Sequence, residues 1–289
     1  MATTARLTDW LKSAWQYPLP QHAVSRFTHW LTRLEHPGIK NWMIRAFIRR
    51  FGVDLSEAVV SDIAAYPTFN AFFTRALRPG VRPVTAEPDA IACPVDGTLS
   101  QLGTTTGEHA VQAKDRNFSV TELLGGDAVA AGKFANGACM TLYLSPRDYH
   151  RVHMPMDGTL LRMLHVPGRL FSVSPATTRT VPRLFARNER VAMIFDTTIG
   201  PMAVVMVGAL NVGSIETAWA GEITPPRGYV LRSWDYLDHR LELVKGAELG
   251  RFNMGSTVIL LFAADRVRWQ RELSPGSVVH MGQRIATLL

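Results

Sequence analysis

Three short stretches of the chain carry residue types that nucleophilic and acid–base chemistry needs. The first is Arg251-Phe252-Asn253-Met254-Gly255-Ser256-Thr257, running into the apolar Val258-Ile259-Leu260-Leu261-Phe262. The apolar run predicts a buried strand, and Gly255 permits a backbone geometry that other residues resist. A serine whose preceding peptide bond is held in a strained turn can attack that bond itself. Its Oγ adds to the Gly255 carbonyl carbon, and an ester replaces the amide. Elimination leaves dehydroalanine, which hydrolyses to a pyruvoyl group at the head of a new chain. The same residues also fit a plain Gly-Ser turn entering a strand, so this chemistry requires partners elsewhere.

Two other stretches offer them. Pro94-Val95-Asp96-Gly97-Thr98 places a carboxylate at a tight turn. Tyr143-Leu144-Ser145-Pro146-Arg147-Asp148-Tyr149-His150-Arg151-Val152-His153-Met154-Pro155 follows a predicted strand and puts two histidines in a loop beside Asp148. A hydroxyl nucleophile needs a base, and the base needs a group to orient it. Asp, His and Ser supply those types, but spacing alone does not show that they meet. A metal site is the rival: His150, His153 and Asp148, completed by His109 or His165. It lacks a His-Glu-x-x-His motif or a cysteine pair. A conventional serine hydrolase lacks Gly-x-Ser-x-Gly.

The elements that must position these residues occupy a chain of 289 residues, long enough for a sizeable core in one or two domains. Cys93 and Cys139 have neither metal-type spacing nor the look of a disulfide framework, which fits a reducing, cytoplasmic setting. The start of the chain lacks the apolar core and cleavage site of a secretory signal. No run of about 18 uncharged apolar residues occurs, so a membrane-spanning helix is not expected. Of the net charge of +7, six units fall in the first fifty residues, which also hold Trp10, Trp15, Trp30 and Trp42. Basic charge with tryptophan points to an anionic surface. Nucleic acid is disfavoured as the partner because no recognition motif accompanies the charge.

Residues 5–52 read as amphipathic helices with stripes Leu7, Trp10, Leu11, Trp15, then Val24, Phe27, Trp30, Leu31, Leu34, then Ile44, Phe47, Ile48, Phe51. They pack on a globular core or lie in a lipid interface, apolar residues down and Lys/Arg to phosphate headgroups. Asp54 and Glu57 predict a capped short helix. A further helix is expected from Thr68, stopping at Arg78-Pro79-Gly80. From about residue 90 the pattern is short strands and turns, including a turn at Ile199-Gly200-Pro201. The expected architecture is therefore α+β: N-terminal amphipathic helices over 1–83, then a mostly antiparallel β sandwich or barrel over 84–289.

Taken together, Pro94-Val95-Asp96-Gly97, the Tyr143–Pro155 segment and Met254-Gly255-Ser256-Thr257 resemble the phosphatidylserine decarboxylase proenzyme family, of the bacterial membrane-associated type. The likeness extends over Thr68–Arg75 with Arg78–Pro83, Phe171–Pro175, Leu184–Arg190 and Val207-Gly208-Ala209 with Val212-Gly213-Ser214-Ile215. One departure is Met254, where the family usually has Leu, a near volume-conserving change. The resemblance implies self-cleavage between Gly255 and Ser256, driven by Asp96, His153 and Ser256. His153 would take the serine proton, and Asp96 would orient and stabilise the imidazole. It implies a covalent pyruvoyl cofactor derived from Ser256, and His150 acting in the decarboxylation half. The substrate would be phosphatidylserine at an anionic membrane, bound peripherally from the cytoplasmic side, with phosphatidylethanolamine and CO₂ as products. A β chain of residues 1–255 and an α chain of 256–289 would stay associated. The alternatives are a metal-dependent hydrolase on a β framework and a non-enzymatic membrane-binding module. The sequence leaves the oligomeric state open, a homo-oligomer included.

Overall fold

The structure is a computed structural model that describes residues 2–113, 116–210, 214–225 and 229–289, with side chains from residue 7 onward. Helices come first: α1 over Ala2–Ala14, α2 over Gln21–Leu31, α3 over Pro37–Phe51 and the short α4 over Phe69–Phe73. Punctuation in the sequence sets several of their ends. Pro37 sits in the first turn of α3, where its missing N–H costs nothing. Gly52 ends α3 in the left-handed conformation at φ 68°. The Thr68 hydroxyl accepts from Ala71 N–H and starts α4.

Two local expectations are corrected. Asp54 does not open a helix. Its carboxylate folds back on the Ser56 N–H and hydroxyl at 2.7 and 2.8 Å, closing a turn, and Glu57 is drawn to Arg82 instead. α4 ends at Phe73 rather than running to Arg78, because Phe69, Phe72 and Phe73 bury against Ile44 and Tyr66 and the chain leaves that cluster at once.

The helices α1 and α2 are inside out relative to ordinary surface helices. Their buried residues are polar, Ser13, Gln21 and Ser25, and so is Gln16 between them. The apolar stripe of α1, namely Leu7, Trp10 and Leu11, and Trp15 just after it are more than half exposed, as are Phe27 and Trp30 of α2. The buried amides dock the helices on the strand-rich part. Gln16 accepts from Ser172 N–H at 2.7 Å, and Gln21 accepts from Leu170 N–H at 2.8 Å. α3 is different: Ile44 is fully buried, with Phe47 packed edge-on against Phe69, Phe72 and Phe73.

From Ala90 onward the described chain is strand-rich, with four short helices between strands, and its strands pair antiparallel within open sheets rather than a closed barrel. The main sheet has nine strands. Its centre is Ser256–Phe262, flanked by Gly200–Val207 on one side and Ala138–Leu144 on the other. All seven residues of that strand are buried, as the unbroken apolar run requires. The neighbouring hairpin turns at Thr198-Ile199, with Gly200 at φ 96° supplying the backbone that the expected turn needs. A second sheet orders Gly221–Thr224, Ile215–Thr217, Glu248–Phe252 and Arg151–His153.

Truncating Leu260 in the centre of the main sheet is expected to cost about 2–5 kcal/mol, because its side chain is fully buried and its strand is paired on both edges. Urea denaturation of Leu260→Ala against the unaltered chain checks this.

Candidate active site

Two chain segments run antiparallel past each other and define the site. Leu144 pairs with Ser256 in the main sheet, and Arg151 pairs with Arg251 in the second sheet. Between those points both segments leave the ladders, and Phe252 N–H bonds to the His150 carbonyl at 3.0 Å. The histidine loop and the loop before Ser256 are thus closed between the same two anchors. The fold brings together two of the three stretches by register alone. The third arrives through backbone as well, since His153 N–H donates to the Pro94 carbonyl at 2.8 Å.

Ser256 is fully buried, and its Oγ has no hydrogen-bond partner. A buried hydroxyl left unpaired costs free energy, and such groups in folded proteins call for an explanation. The strain expected at Gly255 lies one residue earlier. Met254 has φ 118°, a conformation rare for any side-chain-bearing residue, while Gly255 is not at positive φ and has open space where a Cβ would stand. Met254 is held there by packing on the Phe69, Phe72 and Phe73 cluster. Gly97 has a separate steric reason: a Cβ there would meet the Tyr143 carbonyl oxygen at 2.5 Å.

The two histidines differ in what they offer. His150 is fully buried, with its ring 4.1 Å from that of Phe73. Its Nδ1 lies 2.8 Å from the Asp148 carbonyl, so Nδ1 carries the proton. Its Nε2 lone pair is unpaired. Burial holds the imidazole far below its ordinary value, at about 3. His153 donates from Nδ1 to the Gly246 carbonyl at 2.8 Å, and the Tyr149 hydroxyl donates to its Nε2 at 3.0 Å. Burial also lowers this histidine, opposed by the Gly246 bond and, more weakly, by the charges of Glu248 and Asp96. Both are therefore neutral near pH 7 and able to accept a proton. Burial pushes the Tyr149 hydroxyl the other way, to about 12.

The direct Asp96–His153 contact expected from the sequence is not formed. Both Asp96 oxygens accept from Arg82, Nε at 2.9 Å to each and Nη2 at 2.7 Å, and Oδ1 also accepts from Met281 N–H at 2.8 Å. A bidentate guanidinium is the stronger partner for a carboxylate, and it wins here. Arg82 also grips Glu57 and is held fully charged mainly by its hydrogen bonds to Asp96. Asp96 thus acts on His153 through its field, while the Gly246 carbonyl fixes the ring. Sequence reasoning missed Arg82, Tyr149 and Gly246 as parts of the site. Arg82 lay within the Arg78–Pro83 run that carried the resemblance, but nothing in the sequence connected it to Asp96.

The metal set weighed from the sequence is not assembled. Among the described residues no group of three or more His, Cys, Asp or Glu could hold an ion. His165 is instead buried against Glu189 at 3.1 Å, and Arg232 bonds its other nitrogen at 3.2 Å. Val212 and Gly213, part of the resemblance, lie outside the described residues.

An unpaired serine at the mouth of a buried central strand, with a strained residue just before it and neutral buried histidines in the loop that leaves its paired strand, defines a class of chain equipped to act on its own peptide bond. The comparisons give that class a family. The phosphatidylserine decarboxylase family model matches residues 69–287, and a second model, described as PSD, matches residues 11–52. The phosphatidylserine decarboxylase proenzyme of Methylococcus capsulatus is 58% identical over 267 residues, covering 92% of this chain and 93% of its own. That of Alkalilimnicola ehrlichii is 62% identical over 254 residues, covering 88% of each chain. That of Bordetella pertussis is 54% identical over 281 residues, covering 96% of this chain and 94% of its own. The chain belongs to the phosphatidylserine decarboxylase family.

The depressed His150 has a pH consequence. Its folded value lies below the unfolded one, so its contribution to stability is complete above about pH 6.5 and is lost as pH falls toward 3. Stability should drop across that window by about 1.4 kcal/mol per pH unit for this group. Urea midpoints between pH 7 and 4.5 should fall less steeply in His150→Asn than in the unaltered chain.

Proposed function

We infer that this chain is the precursor of a pyruvoyl-dependent decarboxylase that converts phosphatidylserine to phosphatidylethanolamine and CO₂. The observation that carries this reading is the buried, unpaired Ser256 Oγ two residues after a methionine held at φ 118°, in a chain of the phosphatidylserine decarboxylase family. Nothing favours the hydrolase or the non-enzymatic module.

Self-cleavage begins when Ser256 Oγ adds to the Gly255 carbonyl carbon and the C–N bond breaks, with the hydroxyl proton ending on the freed nitrogen. A base then removes the Cα proton of residue 256, the Cβ–O bond breaks, and Gly255 departs as a carboxylate. Water hydrolyses the dehydroalanine that remains, releasing ammonia and leaving the pyruvoyl group. His153 accepts the serine proton at Nε2, the nitrogen that the Tyr149 hydroxyl caps before cleavage. The Asp96 charge favours the imidazolium so formed. Gly255 suits the attack because the space beside it is open.

The residues present fit that group, since an orphaned buried hydroxyl stands where it would form. When formed, it supplies the electron sink for the pair left behind as CO₂ departs. His150 serves this half of the reaction. Its bare Nε2 accepts a proton from the reacting group and hands it back, and the Phe73 ring packs against the imidazole. Residues 1–255 and 256–289 remain one body, because the new chain begins with the central strand of the main sheet.

The lipid substrate accounts for the inverted helices. No helix among the described residues is long and apolar enough to cross a membrane. The exposed Trp10, Leu11, Trp15, Phe27 and Trp30 enter the interface of an anionic bilayer on its cytoplasmic side, and Lys and Arg of the same segment meet phosphates.

Intact mass measurement under denaturing conditions tests the reading. It should show residues 1–255 and a smaller chain headed by a pyruvoyl mass. Ser256→Ala should remain whole and inactive. His150→Ala should cleave yet decarboxylate about 10²–10⁴-fold more slowly. An active preparation with one whole chain and an unmodified Ser256 would overturn the proposal.

Replacing Trp10 and Trp15 together with Ser should lower binding to vesicles containing anionic lipid by at least about tenfold, and added salt should lower it further. Co-sedimentation checks this, with circular dichroism confirming the fold. Unchanged binding would place the membrane face elsewhere.

A further inference from the structure

The loop before the scissile bond is gripped by a side chain that no step above uses. Asn253 is fully buried. Its Oδ1 accepts from Asn70 Nδ2 of α4 at 2.9 Å, and its Nδ2 donates to the Ser214 hydroxyl. Its backbone N–H donates to the Ser214 carbonyl at 2.9 Å. Ser214 is anchored in turn: its hydroxyl donates to Glu222 at 2.8 Å, and Arg33, just beyond α2, bonds both Glu222 and the Ser214 hydroxyl. Asn70 is fixed by its own N–H to the Thr32 carbonyl at 2.9 Å.

The consequence is geometric. Asn253 is immobilised by α4, by the end of α2 and by the second sheet, while Ser256 is immobilised by its pairing with Leu144. Only Met254 and Gly255 span the gap. Met254 cannot relieve its φ of 118° by turning the residue before it, since that residue is bonded at both ends of its amide. The acyl shift closes a five-membered ring, which forms readily only when the carbonyl carbon is already presented to the oxygen.

We propose that Asn253, clamped between Asn70 and Ser214, is a positioning residue for self-cleavage, holding the Met254–Gly255 segment in the strained geometry from which Ser256 attacks. This rests on the self-cleavage reading above and adds the device that sets its rate. The clamp belongs to the precursor alone. Once the bond is cut, Asn253 lies near the free end of the larger chain and no longer restrains residue 256.

The test follows cleavage over time in full-length chains made by cell-free synthesis, read by denaturing mass spectrometry. Asn253→Ala should cleave about 10²-fold more slowly than the unaltered chain. Asn70→Ala removes one arm of the clamp from a half-buried position and should cleave about tenfold more slowly, deciding the matter if Asn253→Ala does not fold. The matured fraction of either variant should decarboxylate phosphatidylserine with kcat within about twofold of the unaltered enzyme, a split that a general loss of structure would not produce. Folded variants that cleave at the unaltered rate would overturn the clamp and leave the self-cleavage reading standing. So would a kcat that falls in step with the cleavage rate. An unaltered chain that never cleaves would instead overturn the self-cleavage reading itself.

Discussion

The site depends on one strand being in the middle of a sheet. Ser256–Phe262 is buried at every residue and paired on both edges from Thr257 onward, with Ser256 itself paired to Leu144, so its first residue has little freedom to shift. That rigidity lets strain accumulate just outside it. A positive φ on a methionine costs of the order of 1–3 kcal/mol and persists only where the surroundings over-determine it. Here they do, with the ladder on one side and the aromatic cluster of α3 and α4 on the other. The conflict between a fixed strand and a fixed loop is stored next to an unpaired hydroxyl.

Electrostatics around that hydroxyl follow from the same burial. The histidines are stripped of water, so both stay neutral rather than charged. The acid that would ordinarily partner a histidine is committed to Arg82, whose grip also ties Glu57 and the N-terminal helical region to the Asp96 turn. The arrangement separates two tasks that one carboxylate often combines. A backbone carbonyl orients the ring, and the charges of Glu248, Arg151 and, more weakly, Asp96 act on it from a distance.

Much of this could be read before any coordinates. The continuous apolar run after Ser256 specified a buried strand, and the antiparallel pattern beyond residue 90 followed from short runs broken by turn residues. The helical stripes were correct in periodicity but silent about direction. Nothing in Leu7, Trp10, Leu11 and Trp15 says whether that face meets a core or a lipid. The structure shows only that this face does not meet the core, since Gln16 and Gln21 are buried on the other side and dock the segment there. The missed pieces share a cause. Asp54 chose a turn over a helix, and Asp96 chose Arg82 over His153, because each choice depended on a group distant in the chain or on competing local bonds. Asn253 looked like one more polar residue before a turn. Its partners are 183 and 39 residues away in sequence.

What the sequence by itself determined is the chemistry on offer: a serine after glycine, two histidines three apart, a carboxylate at a turn, and the strand that would bury the serine. Those follow from side-chain type and from periodicity, which are local. The tertiary structure alone decided which lone pairs are free and which are taken, and where the strain sits. It also decided which face of the first two helices looks outward. Each of these is a competition among groups far apart in sequence, settled by which contact best repays the loss of water. Spacing along a chain carries no record of that outcome.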